Sequence, residues 1–350
     1  MQRNSLSIAP SRWLLRGALC LALAAMAPGA IAQQALRYAG VNLAGAEFNS
    51  AKKPGVLFKD YMYAADSDYA YAAAQGMNIV RLPFLWERLQ PTAHGELDAA
   101  QLGYLRTAVN RAKSHNLRLI LDVHNYAKYY GVRIGNGVPA SALADLWRRL
   151  AIEFGNDDTV VFGLMNEPNG IASGDWASAA QLAIDAIREA GAYNLIMVPG
   201  TAFTGAHSWN SSWYGVPNAQ SLVSIDDPAG NLVFEVHQYL DADYSGTSPA
   251  CVSTTIGADK LQGFTQWLRA NGYRGFLGEF GGSSDPTCLA ALDNMLGHVQ
   301  DNADVWMGWT AWAAGAWWKT DYPFNLQPSK DGTGKPQMTV LSARAKQITQ

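Results

Sequence analysis

Cysteine is scarce in this chain, charge is thin, and there is no basic cluster, no low-complexity linker and no long hydrophobic run. Each shortage excludes something. The three cysteines, Cys20, Cys251 and Cys288, have no second Cys or His at ligand spacing, so a cysteine-held metal is not expected. Charged residues make up 16% of the chain, where soluble domains carry roughly 25%. Without clustered Lys and Arg, nucleic acid is not an expected partner. No stretch after the N-terminus reaches the ~18 apolar residues of a membrane span. A Gly-x-Ser-x-Gly elbow and a His-Glu-x-x-His pair are both missing, and the six histidines are scattered, which disfavours serine and zinc hydrolysis. With no Pro/Ser/Thr-rich linker or repeat to divide it, the chain reads as one domain.

Residues 1–32 have the form of a secretory signal. Arg3, Arg12 and Arg16 give a positive start, Gly17 to Ala27 an apolar stretch, and Ala30-Ile31-Ala32 a small-residue cleavage site before Gln33. Leu19, a large residue, precedes Cys20 and weakens a lipoprotein reading. Removing the segment takes away three positive charges and no negative ones, moving the formal net charge from −3 to −6 and leaving residues 33–350 as the functional domain. A secreted protein is expected, extracellular or periplasmic, monomeric and free of the membrane once processed. In an oxidising compartment Cys251 and Cys288 read as one disulfide.

What the chain has in plenty is aromatic residues, 11% of the total, with eleven of the twelve Trp beyond residue 32. Indole faces stack on the apolar faces of sugar rings, so the excess leans toward a carbohydrate ligand. Eight short apolar, β-branched segments read as buried strands: Leu36 to Asn42, Asn78 to Pro83, Arg118 to His124, Val160 to Glu167, Leu195 to Pro199, Leu232 to Tyr239, Gly275 to Glu279 and Val305 to Trp312. Helical patterns lie between most of them. One follows Asp98 to Ser114, and others run from Pro139 to Phe154, Ser173 to Ala190, Gly257 to Ala270 and Asp285 to Val299. This alternation fits an α/β fold, a (β/α)8 TIM barrel. The rival, an open doubly wound sheet, needs a phosphate loop directly after an early strand. Gly135-Asn136-Gly137-Val138-Pro139-Ala140 has the glycine pattern but comes too late after its strand, and Pro139 reads as an ordinary helix start.

In a barrel the C-terminal strand ends share one mouth. That level collects Arg81, His124, Asn166, Glu167, His237, Tyr239, Glu279 and Trp312. Two carboxylates there suit glycoside hydrolysis, in which one acid protonates the leaving oxygen and the other acts on the opposite face of the sugar. Arg81 and the Tyr239 hydroxyl would orient a nucleophile and lower its pKa. Asn166 could bond a sugar 2-hydroxyl, His124 and His237 position hydroxyls, and Trp312 offer a stacking floor. His207 and Trp209 could line the cleft, as could Trp213, Trp317 and Trp318, although packing explains any single Trp as well. Asn42 is either a turn cap or a site residue, Asp122 either a structural partner or a support for His124. Asn210-Ser211-Ser212 is a glycosylation sequon.

The motifs Asn-Ile-Val-Arg-Leu-Pro (78–83), Leu-Asp-Val-His-Asn-Tyr (121–126), Leu-Met-Asn-Glu-Pro (164–168), Phe-Glu-Val-His-Gln-Tyr-Leu-Asp (234–241), Leu-Gly-Glu-Phe-Gly (277–281) and Gly-Trp-Thr-Ala-Trp-Ala (308–313) resemble glycoside hydrolase family 5, in its endo-β-1,4-glucanase branch. The resemblance implies a retaining mechanism with Glu167 as acid/base and Glu279 as nucleophile, the other six residues forming the reacting-sugar subsite. It implies no cofactor and no metal, and β-1,4-glucan as the polysaccharide partner. Related barrels cut β-mannan, xyloglucan and xylan, and a non-catalytic carbohydrate-binding barrel is a further alternative.

Overall fold

Eight parallel strands close into a barrel in the computed structural model, which describes residues 36–348. They are β1 (Tyr38–Leu43), β2 (Ile79–Phe84), β3 (Arg118–Val123), β4 (Val160–Gly163), β5 (Ile196–Pro199), β6 (Leu232–His237), β7 (Gly275–Glu279) and β8 (Trp306–Ala314), each paired with its neighbour in chain order and β8 with β1. All eight expected strands are present. The expected signal over residues 1–32, with Cys20, lies outside the described residues. Among the described residues no helix is long and apolar enough to cross a membrane.

Among the described residues, seven helices longer than one turn surround the barrel: α1 (Asp66–Ala74), α2 (Ala99–Ser114), α3 (Ala140–Phe154), α4 (Ser173–Glu189), α5 (Ile256–Asn271), α6 (Pro286–Asp301) and α7 (Pro336–Ile348). Their sequence logic is local. Asp98 caps α2 by accepting the Gln101 N–H at 2.9 Å, and Asp285 caps α6 by accepting that of Thr287 at 2.8 Å. In α3, Leu143, Leu146, Trp147, Leu150 and Phe154 recur at helical spacing and are all buried. The helices α1 and α7 were not expected. The first is mostly Tyr and Ala, the second carries only Met338 and Leu341 as large buried apolar residues, and neither shows a strong stripe. The β5–β6 connection has no long helix and runs through short turns between residues 202 and 224.

Side chains two apart on a strand face the same way. Ile79, Ile120, Val161, Met197, Val233, Phe276 and Met307 meet inside the barrel as an apolar plug. One step of two toward the C-terminal ends replaces Ile79 by Arg81, Ile120 by Asp122 and Val233 by Glu235, all buried. Glycine makes room for this polar layer: a Cβ on Gly278 would stand 1.9 Å from Glu235 Oε1.

Three strands end earlier than expected, β3 by a single residue at Val123. The strand β4 stops at Gly163, because beyond it the Leu164 N–H goes to Met197 on one side and the Asn166 N–H to Val123 on the other, which breaks the ladder. The strand β6 stops at His237, leaving Tyr239 on the loop. The segment bearing Asn166 and Glu167 is braced from outside by Trp147 of α3, whose indole donates to the Leu164 carbonyl at 3.0 Å. Cys251 and Cys288 form the expected disulfide, with Cα atoms 5.3 Å apart, tying the loop after β6 to α6. Gly135 and Gly137 lie in a small three-stranded ribbon after β3 rather than at a helix N-terminus.

Candidate active site

Arg81 is the hub of the mouth. Fully buried, its Nη1 donates to Glu279 Oε1 at 2.8 Å and to Asn42 Oδ1 at 3.0 Å, while Nη2 donates to Asn166 Oδ1 at 2.9 Å. Asp122 and Glu235 approach it at 3.2 Å as ion pairs. Burial alone would lower the guanidinium pKa, but Asp122, Glu235 and Glu279 together raise it, so Arg81 is a permanent cation. Asn42 serves this hub rather than a turn, its Nδ2 donating to the Gly278 carbonyl at 3.0 Å.

Glu279 is 3% exposed. One of its oxygens accepts from Arg81, the other from the Tyr239 hydroxyl at 3.1 Å. Arg81 pulls the Glu279 pKa down as expected, but the net shift is upward. Burial is the largest influence and raises it above the usual carboxylate value, helped by repulsion from Glu167, with His237 and Arg81 opposing. Tyr239, pushed well above its ordinary range by burial and by Glu279, stays protonated and remains a donor.

Glu167 sits at φ 42°, a left-handed backbone position that turns its carboxylate away from the strand direction. Its Oε1 lies 2.8 Å from His237 Nδ1, and the same nitrogen is 3.6 Å from Glu279 Oε2. His237 Nε2 faces Glu235 Oε1 at 3.3 Å. Burial lowers the imidazole pKa, but Glu279, Glu167 and Glu235 outweigh it and raise it to about 10. A register shift between β6 and β7 pairs Glu279 with His237 and so brings these groups together.

His124 Nδ1 is held by Asp122 Oδ2 at 2.8 Å, and its ring stacks on Trp312 at 5.7 Å and 17° between planes. Asp122 is the largest influence raising its pKa, against the lowering by burial. Asn166, its Oδ1 committed to Arg81, points Nδ2 toward His124 Nε2 at 3.3 Å. Asp122 therefore does both jobs that were open for it, pairing with Arg81 and orienting His124. The Trp312 indole donates to Tyr322 at 3.1 Å, which fixes its face toward the mouth.

One oxygen each of Glu167 and Glu279 and one nitrogen of His237 lie mutually within 4.8 Å. A cation could span that distance, but both Glu279 oxygens already accept hydrogen bonds, from Arg81 and Tyr239.

Two grooves flank the pair. Glu167 opens into one of about 460 Å³ whose walls include Tyr126, Phe203, His207, Trp213 and Tyr244. The other lies around Phe48, Trp317, Trp318 and Tyr322. His207 and Trp213 line the groove into which Glu167 opens, and Trp317 and Trp318 line the second groove. Trp209 lines neither. It is fully buried against Phe234, Phe264 and Trp267, because the short turn Ala206–Ser208 sends the next side chain inward.

Sequence reasoning missed four contributors. Glu235 is the ion-pair partner of both Arg81 and His237, and its signal was present, since Glu-Val-His repeats the spacing of Asp122-Val-His124. Tyr126 approaches His124 Nε2 at 3.4 Å. Glu47, 8% exposed and pushed up to about 7 by burial, accepts the Gly45 N–H at 2.7 Å on the loop after β1. The fourth is Phe203.

The family model described as Cellulase (glycosyl hydrolase family 5) matches residues 40–315. The chain is 40% identical to Endoglucanase gh5-1 of Neurospora crassa over 87% of this chain and 76% of the relative. It is 37% identical to Endo-beta-1,4-glucanase B of Emericella nidulans, over 87% of this chain and 90% of that one. Among solved structures, a triple mutant of an endo-beta-1,4-glucanase from Xanthomonas axonopodis pv. citri is 61% identical with a TM-score of 0.89, over 89% of this chain and 100% of the other. XacCel5A in complex with cellopentaose is 62% identical with a TM-score of 0.88, over 88% and 99%.

Proposed function

The chain belongs to glycosyl hydrolase family 5 and is an endo-β-1,4-glucanase, and we propose that it cuts internal β-1,4-glucosidic bonds by double displacement, with Glu279 as nucleophile and Glu167 as acid/base. The observation that carries this reading is the closeness of the two carboxylates, one oxygen of each within 4.8 Å. Inverting glycosidases hold theirs about 6.5 to 9.5 Å apart to admit a water, and retaining ones about 5 to 5.5 Å.

The neighbours give the two acids unequal work. Arg81 and Tyr239 fix both Glu279 oxygens and aim a lone pair at the anomeric carbon. Among the described residues Glu167 is bound only through His237, and it opens to the groove, so it can exchange a proton with substrate and then with water. In the first step the Glu279 carboxylate attacks the anomeric carbon while the Glu167–His237 pair releases a proton to the departing oxygen. In the second, Glu167 takes a proton from water, whose oxygen displaces Glu279; two inversions give net retention. Asn166 Nδ2 and the Trp312 face bind the reacting glucosyl unit, the amide through its 2-hydroxyl. The enzyme acts outside the cytoplasm, a reading supported by the leader-like pattern of residues 1–32.

Wild type, Glu167→Gln and Glu279→Gln should be assayed on soluble β-glucan, mannan and xylan, and on a β-cellobiosyl fluoride, whose leaving group requires no proton. Wild type is expected to prefer β-glucan. Glu279→Gln should lose about 10⁴-fold or more on every substrate, whereas Glu167→Gln should lose far less on the fluoride than on glucan. Substantial activity in Glu279→Gln overturns the assignment.

A further inference from the structure

Arg88 is a buried cation whose hydrogen bonds reach no carboxylate. It sits in the one-turn helix Trp86–Leu89 that follows β2 and is 2% exposed. Among the described residues its five hydrogen bonds all end on backbone carbonyls of the loop after β1. Its Nε donates to Pro54 at 2.9 Å, Nη1 to Ala46 at 2.7 Å, and Nη2 to Phe48, Asn49 and Lys52 at 2.7, 3.2 and 3.3 Å. The Tyr61 ring covers the guanidinium at 4.1 Å. A buried charge without a paired anion is costly, and burial is the largest influence lowering the Arg88 pKa. The loop explains the cation. Residues 47–56 form neither helix nor strand, so their carbonyls have no ladder to join and converge on one planar donor.

The same short helix grips the loop a second time. Glu87, also buried, pairs with Lys53 at 2.8 Å and accepts the Asn125 amide and the Tyr130 N–H at 2.7 Å each. What the loop carries is part of the second groove, which Phe48 and Asn49 line together with Trp317, Trp318 and Tyr322. Phe48 meets Trp318 edge to face at 4.9 Å, Trp318 stacks on Tyr322 at 4.2 Å, and Tyr322 accepts from the Trp312 indole. A continuous surface therefore runs from Trp312 at the reacting sugar to Phe48, and its far end is fixed through the Arg88 bonds.

We infer that Arg88 is a positioning residue for the glycone half of the substrate: by gathering the carbonyls of residues 46–54 it holds Phe48 and Asn49 beside Trp318, as the wall over which the sugars preceding the reacting unit lie. This rests on Glu167 being the acid/base, since the groove into which it opens is then the leaving side and the second groove the glycone side. Arg88 itself touches no sugar. Its effect passes through the loop and reaches only substrates with units beyond the reacting one.

The test compares β-glucosyl fluoride with β-cellotriosyl fluoride, which share a leaving group that places no sugar in the Glu167 groove and differ only in glycone length. The ratio of the two kcat/KM values, cellotriosyl over glucosyl, should exceed unity in wild type and fall about tenfold in Arg88→Met. Arg88→Lys keeps a cation but has fewer donors than the carbonyls it must serve, and should lower the ratio about threefold. Phe48→Ala should match Arg88→Met, and the double variant should fall no more than about twofold below either, because both act on one wall. Where Arg88→Met does not fold, an unchanged ratio in Arg88→Lys overturns the inference. So do equal losses on both fluorides, which would make Arg88 merely structural, losses that multiply in the double variant, and a wild-type ratio of unity. If wild type cleaves both fluorides while the ratio does not respond to the variants, only the role of Arg88 fails; if wild type cleaves neither, the reaction assigned above fails with it.

Discussion

Two layers of the barrel interior, built on the same strands two residues apart, have opposite chemistry. The plug of Ile79, Ile120, Val161, Met197, Val233, Phe276 and Met307 is apolar; the layer above holds Arg81, Asp122 and Glu235 in ion pairs. The plug is interchangeable hydrocarbon whose merit is to fill space. The charged layer is a poor way to gain stability, because desolvating ions costs much of what their attraction returns. Its value is positional. Arg81 touches Glu279, Asn166 and Asn42 at once, so two groups of the site are fixed by one side chain that cannot lose its charge.

Removing the hub should break this contrast most severely. Arg81→Met leaves three buried carboxylates facing one another, and we expect a loss of about 3 to 5 kcal/mol in urea unfolding at pH 7. The loss should shrink toward pH 5 as the carboxylates take up protons, and a loss independent of pH would show that Arg81 acts by packing alone.

An intermediate effect is expected at His237. Its pKa is raised from 6.5 to about 10 in the folded state by Glu279, Glu167 and Glu235. The stabilisation this supplies is complete below pH about 6.5 and disappears as pH rises through about 10. Wild type should therefore melt at a lower temperature at pH 9.5 than at pH 7, and His237→Asn should flatten that difference. The same variant removes a cation from beside Glu279, whose pKa must then rise, so the acidic limb of kcat/KM should move toward neutral pH. A limb that stays in place would remove His237 from the ionisation of the nucleophile.

The smallest change belongs to the plug. Ile120→Val should cost about 0.5 to 1.5 kcal/mol and leave kcat within about twofold. A larger catalytic effect would mean that the layers are mechanically coupled.

The site residues that could be read in the sequence are those whose neighbours announce a strand end. Arg81 before Leu-Pro, Asn166-Glu167 before Pro168 and Glu279 before Phe-Gly are polar residues closing apolar runs. Glu235 was harder, because a carboxylate two residues inside a strand looks like an exposed position until the barrel closes over it. Trp209 was misplaced because a three-residue turn decides which way an indole points, and such turns leave little trace in composition. The three left-handed residues 202–204 were invisible, since Ala, Phe and Thr carry no turn signal. The direction of the Glu279 shift turned on how completely Glu279 is enclosed, a property of the whole barrel.

Closing the barrel also has a consequence outside catalysis. An open sheet ends in strands whose unpaired N–H and C=O groups can recruit another chain, a hazard for a protein that must persist among its own copies. Here β1 pairs with β8, so the large sheet has no terminal strand to offer. Among the described residues the other named sheet is the ribbon Lys128–Tyr129, Val132–Ile134 and Gly137–Val138, whose strands of two or three residues are too short to template aggregation.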